Sequence, residues 1–159
     1  MLKLIKALYI AERKALVEWQ RPITGDCFYS MENGPILSRI YDLIRGRVSG
    51  PEMDAWYSVF NPRQGDTVSL KSDFSAKSLS RREKSALLEA YGFAKSLTVG
   101  QLIDFVHSLP EWKDPGKSSA KIEPKAIFYH QNMGEEMVEE IERDVEDFMA
   151  AKAALQSRS

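Results

Sequence analysis

Three stretches of this chain return an apolar side chain every three or four residues, the spacing that an α-helix gathers onto one side. Across 2–19 the recurring positions are Leu2, Ile5, Leu8, Tyr9, Leu16 and Trp19, with Lys3, Lys6, Arg13, Lys14 and Glu18 largely opposite. Across 80–96 they are Leu87, Leu88, Tyr91 and Ala94; across 135–155 they are Val138, Ile141, Val145, Phe148 and Leu155, interrupted by Lys152. Amphipathic helices of this length are stable only when their stripes bury one another, so a helix-on-helix architecture is expected. A chain of 159 residues can do this as one domain without disulfides or metal.

The punctuation supports that reading. Ser80-Arg81-Arg82-Glu83 and Thr98-Val99-Gly100-Gln101 both have capping-box spacing. The second opens a shorter helix with Leu102, Phe105, Val106 and Leu109, closed by Pro110. A helix from about Ile36 presents Ile36, Leu37, Ile40, Tyr41 and Ile44 and stops at Gly46. Pro124 suits the first turn of a short helix through Ala126, Ile127, Phe128 and Tyr129, ending near Gly134.

Strand signals are few. Residues 27–31 read as an extended segment between turns at Thr24-Gly25-Asp26 and Asn33-Gly34-Pro35. Trp56–Phe60 and Thr67–Leu70, separated by the turn-forming Asn61–Asp66, read as a β-hairpin. Residues 113–121 read as an exposed, cuttable loop. The predicted fold class is therefore mainly α (α+β): a compact domain of about six helices with a small hairpin or short antiparallel sheet. Residues 1–133 form its body, and residues 134–159 form an acidic amphipathic helix and tail packed on it or extending it.

Catalytic patterns are hard to find. The two histidines, His107 and His130, and the single cysteine, Cys27, form no ligand-spaced pair, so neither a metal site nor a disulfide is expected. No nucleophile motif, phosphate cradle or dinucleotide fingerprint is present, and no cofactor is implied. Cys27 reads as a small buried residue, and His107 as a packing or capping residue near a helix end. Asp26, Glu32 and Asp42 read as turn and cap residues ahead of an acid–base set. A net charge of −1 gives no basic field for nucleic acid, so direct nucleic-acid binding is not expected. No run of about 20 apolar residues exists to cross a bilayer, and no export signal opens the chain, which points to the cytoplasm.

The charge is unevenly spread. Glu135, Glu136, Glu139, Glu140, Glu142, Asp144, Glu146 and Asp147 face only Arg143, eight carboxylates against one arginine, while lysines and arginines gather near the N-terminus and in 71–95. Such a run is ordinarily a solvated helix face, and its sharper use is to steer a basic partner.

Four separated stretches resemble the Panacea domain, the SocA-like antitoxin family once described as a phage-associated domain of unknown function. They are KLIKALYIAERKAL from Lys3; the family pattern GRPITGD, with Gln20 here in place of the leading glycine; MENGPILSRIYDLI from Met31; and LSRREKSALLEAYGFAKSLTVGQLIDFVHSLPEWKD from Leu79. Relatives usually carry a further helix before the first of these, so part of the N-terminal packing is expected to be absent or supplied by a partner.

The resemblance implies a non-enzymatic antitoxin that binds a cognate protein toxin, usually encoded beside it. Within it Leu8, Tyr9, Pro22, Gly25, Gly34, Pro35 and His107 are expected to serve structure, the glycines and prolines by reversing the chain. Arg21, Asp26, Tyr29 and Glu32, held outward by that loop, and the aromatics Tyr41, Trp56, Tyr57 and Trp112 are the expected partner contacts. Two alternatives remain open: an adaptor that hands the toxin to an energy-dependent cellular protease, and an enzyme acting on the toxin.

Overall fold

The computed structural model describes residues 1–73, 77–128 and 133–156, apart from the side chains at 149, 152, 153, 155 and 156. Tyr129 and His130, and the side chains of Lys152 and Leu155, lie outside the described residues. Seven helices and one three-stranded sheet are present among those described: α1 Leu2–Trp19, β1 Phe28–Ser30, β2 Ile36–Leu37, α2 Ser38–Arg45, α3 Pro51–Val59, α4 Arg81–Ser96, α5 Val99–His107, β3 Ala120–Ile122, α6 Pro124–Phe128 and α7 Glu135–Gln156. The mainly α class with a small antiparallel sheet is the expected one. No described helix is long and apolar enough to cross a membrane.

Helix α1 is the central element, buried on two sides by two kinds of side chain. Toward α4 it offers Ala11 and Ala15, which meet Ala86 and Ala90, and Ala7, which meets Ala94 and Leu102 of α5. Alanine on both surfaces lets the two backbones approach closely. Its other side carries Tyr9 and Leu16 into the main core with Phe28, Leu37, Val106, Ile127, Phe128, Val138, Ile141 and Val145. Tyr9 and Phe28 meet edge to face, ring centroids 5.8 Å apart, the arrangement that aromatic quadrupoles favour. Helix α7 thus contributes three side chains to the core that α1 organises.

Both capping boxes form. Ser80 Oγ accepts from the Glu83 amide and the Glu83 carboxylate accepts from the Ser80 amide, and Thr98 and Gln101 repeat the exchange. Gly46 ends α2 in the left-handed region at φ 68°.

Three expectations are corrected. The helix expected from Ile36 begins at Ser38, because Ile36 and Leu37 pair with Tyr29 and Phe28 as strand β2. Trp56–Val59 belongs to α3: Gly50 at φ 77°, Pro51 in the first turn and the acidic Glu52 and Asp54 make a helix start that outweighs the β-prone composition. The hairpin contracts to two isolated bridges, Phe60 with Leu70 and Gln64 with Thr67. The loop expected over 113–121 gives up its end to β3, whose Ala120, Lys121 and Ile122 pair antiparallel with Ser30, Tyr29 and Phe28. One inward apolar residue, Ile122, leaves too short an alternation to read as a strand.

Candidate functional site

The segment between α1 and α2 is held by two buried carboxylates. Glu12, 1% exposed in the middle of the apolar stripe of α1, accepts from the amides of Ile23, Thr24 and Gly25 at 3.0–3.1 Å and from the Thr24 hydroxyl at 2.9 Å. Burial pushes its carboxyl above the ordinary value, against the opposing pull of those hydrogen bonds. Asp26 accepts from the amides of Cys27 at 2.6 Å and of Arg39 and Ile40 at 2.9 Å, with Ser38 Oγ at 3.4 Å. It therefore caps the first turn of α2 from outside the helix, where Leu37 at the cap position has no side-chain acceptor to offer.

Asp26 was expected to face a partner and is instead turned inward, its acceptors used by backbone amides that would otherwise be unpaired. Cys27, expected to be buried, is exposed, since Phe28 takes the inward position beside it. Pro22 and Pro35 are buried and Leu8 is half-buried against the main core. Gly25 stands at φ 72°. At Gly34, φ 94°, a Cβ would sit 2.4 Å from Val106 Cγ2, so both backbone conformation and packing against α5 require glycine there.

A second buried network ties α1 to the chain after α5. Glu111, 4% exposed, accepts from Tyr9 Oη at 2.8 Å and from Arg13 at 2.7 and 3.2 Å. Burial, and then the Glu111 charge, hold the Tyr9 phenol well above its ordinary value. Trp112 extends this brace: its Nε1 donates to the Met31 carbonyl at 3.1 Å and its ring stacks on His107 at 3.8 Å. Trp112, expected as an anchor, is half-buried with its indole nitrogen bonded within the fold, and His107 lies beneath its ring.

On this frame the β1–β2 hairpin, α2 and the chain just before β3 enclose a surface groove of about 350 Å³, lined by Tyr29, Met31, Ile36, Tyr41, Asp42, Arg47 and Ser119 among others. Tyr29, Met31, Tyr41 and Trp56 all lie partly exposed over a buried Ile5–Ile36–Ile44 cluster. Arg45 and Arg47 reach over the Tyr41 ring, 5.3 and 5.6 Å from its centroid. Three of the expected aromatic contacts are thus gathered on one cluster, with Asp42, Arg45 and Arg47 as a charged rim. Tyr57 is half-buried near Gly46, and Glu32 is exposed on the β1–β2 turn. Arg21 lies elsewhere: its guanidinium is 4.8 Å over the Phe148 ring, in a cleft shared with Trp19 and Arg82.

The sequence model of the family described as antitoxin SocA-like, Panacea domain, matches residues 4–113, more than half of the chain. The chain belongs to that family. No curated protein and no solved structure matches it. Within this Panacea domain the match covers the groove-bearing elements β1, β2 and α2 together with α1 from Leu4 onward and the α4–α5 layer. Strand β3, α6 and α7 lie beyond it.

Sequence reasoning missed Lys6, Glu12 and the Arg13–Glu111 pair. Glu12 could have been found: Leu8, Tyr9, Ala15 and Leu16 stand three and four residues either side of it, so a carboxylate there must be buried. Lys6 likewise has Leu2, Tyr9 and Ile10 as its helical neighbours. Glu111 gives no such local signal, since its partners come from α1.

Proposed function

We propose that this Panacea domain is a cytoplasmic antitoxin that neutralises a protein toxin by direct binding, laying the groove of Tyr29, Met31 and Tyr41 against it. One observation carries this reading: half-exposed aromatic and methionine side chains converge over a rigid aliphatic cluster, rimmed by charge, inside the family's matched region. Aromatic anchors in a preformed depression with a polar rim are the anatomy of an interface centre. The family supports a binding role over turnover, so neutralisation should titrate stoichiometrically. The partner is a toxin, expected from the neighbouring gene.

Tyr29→Asp tests the groove. Tyr29 is half-exposed on β1 and its backbone pairing survives the change, so the variant should fold yet fail to rescue cells expressing the toxin. Full rescue by a folded Tyr29→Asp protein overturns the assignment of this surface.

Delivery to a protease is the second reading, and toxin half-life separates the two. Sequestration leaves total toxin unchanged or raised, whereas delivery lowers it only where the protease is present.

A further inference from the structure

Lys6 is the least expected residue of α1. It is 2% exposed, and its Nζ donates to the Pro35 carbonyl at 2.9 Å. An ammonium carries three donors, and this is the single acceptor it meets among the described residues. A charge withdrawn from water with two donors unmatched is unfavourable, and a group that supplies acceptors and an opposite charge relieves that cost.

Lys6 lines a cavity of about 110 Å³ with Met31, Asn33, Ile36, Tyr41 and Arg45. That is well below the ~300–1,000 Å³ of sites for small molecules and cofactors, and more than one water needs. The walls are apolar on the Met31 and Ile36 side; Asn33 and Arg45 are exposed and bring polar groups to the solvent side. Met31, Ile36 and Tyr41 also line the larger groove, so the two depressions adjoin.

We propose that this cavity is a carboxylate socket: it receives the side chain of an aspartate or glutamate of the protein partner, which pairs with the Lys6 ammonium while Asn33, Tyr41 and Arg45 hold it from the rim. The proposal rests on the groove being the toxin-facing surface, and adds the chemistry that surface selects. A carboxylate supplies two acceptor oxygens and one negative charge, which suits a buried ammonium with two unmatched donors in a cavity of this size.

The electrostatics agree. Burial holds the Lys6 ammonium down to about 7, with no anionic neighbour to oppose it. From α2 the charged or titratable groups facing the cavity are Arg45 and Tyr41, and just before α1 the Met1 amine, which donates to the Asp66 carbonyl at 2.8 Å. The β1–β2 turn brings no charged side chain to the lining, only Met31 and Asn33. Entry of a carboxylate therefore raises the Lys6 titration midpoint, and above neutrality docking takes up a proton.

The test uses the whole chain with its lysines carbon-13 labelled and sodium acetate as the probe. The Lys6 side-chain signal is followed against pH in acetate and in chloride of equal ionic strength. Acetate should move the Lys6 midpoint upward in a saturable way and leave the exposed lysines alone; an unmoved midpoint overturns the socket. In the cellular rescue assay Lys6→Met, which keeps the unbranched stem of the side chain and removes the charged end, should weaken neutralisation at least about tenfold, since it deprives a buried carboxylate of its partner. If acetate binds but Lys6→Met neutralises as the wild type does, the socket takes free acids and the partner-borne carboxylate is overturned. If Lys6→Met neutralises fully and Tyr29→Asp does not, the socket falls while the groove stands. If both neutralise fully, the groove itself is wrong.

Discussion

Glu12 shows how much of this fold depends on single buried polar groups. Its two oxygens collect three backbone amides and a hydroxyl from the turn that follows α1, so removing them leaves buried donors without acceptors. Glu12→Ala should destabilise the protein by about 2–4 kcal/mol, read as a lower urea midpoint at unchanged slope. Lys6 acts in the opposite sense. Below about pH 7 both folded and unfolded chains hold its proton, and the unfavourable burial of the ammonium is fully felt. As pH rises from there toward the ordinary lysine value, the folded state releases the proton first and stability climbs, by up to about 1.4 kcal/mol per pH unit. Urea unfolding between about pH 6 and pH 9 should show that rise, and Lys6→Met should abolish it while being more stable than the wild type at the acid end. The apolar neighbours of both residues three and four positions away carry the signal, yet Glu12 was passed over and Lys6 was set on the polar side, which its 2% exposure corrects. Asp26 carries no such signal, because its buried role depends on where β2 and α2 return in space.

At the scale of elements, local signals held where an element makes its own ends. The capping boxes of α4 and α5, the Gly46 stop of α2 and the stripe of α1 are properties of neighbouring residues, and each was readable. The strand β3 and the short α2 are set by distant partners: β3 exists because β1 offers it an edge, and α2 starts at Ser38 because Asp26 supplies its cap. Asp26→Ala should therefore loosen one element ahead of the whole. Amide exchange at Arg39 and Ile40 should accelerate more than at residues of α4, and global stability should fall by about 1–2 kcal/mol, the range for loss of a helix cap. Equal acceleration everywhere would show that Asp26 does not act on α2 in particular. The groove was legible only in its parts, since Tyr29, Tyr41 and Trp56 were identifiable as aromatics but nothing local says they share the Ile5–Ile36–Ile44 cluster.

At the scale of the whole molecule, α7 is both acidic outside and structural inside. Its exposed face carries Glu135, Glu136, Glu139, Glu140, Asp144, Glu146 and Asp147, while Val138, Ile141 and Val145 close the core over Phe28 and Phe128. Cutting the chain after Gly134 uncovers that core, and such a protein should lose its cooperative thermal transition. The steering role of the acidic face is tested by Glu135→Gln, Glu139→Gln and Glu140→Gln together. These should leave the melting temperature within a few degrees and slow association with a basic toxin more at low salt than at high. An association rate unchanged at every salt concentration would confine α7 to packing.

The account stands on the claim that this protein works by occupying a toxin's surface through the Tyr29–Tyr41 groove. The direct measurement is a titration of purified toxin activity by the wild type and by Tyr29→Asp, with the thermal transition of each recorded. The predicted result is a stoichiometric endpoint for the wild type and no inhibition by an equally stable Tyr29→Asp. Inactivation of excess toxin by trace protein, or full inhibition by the variant, would contradict it.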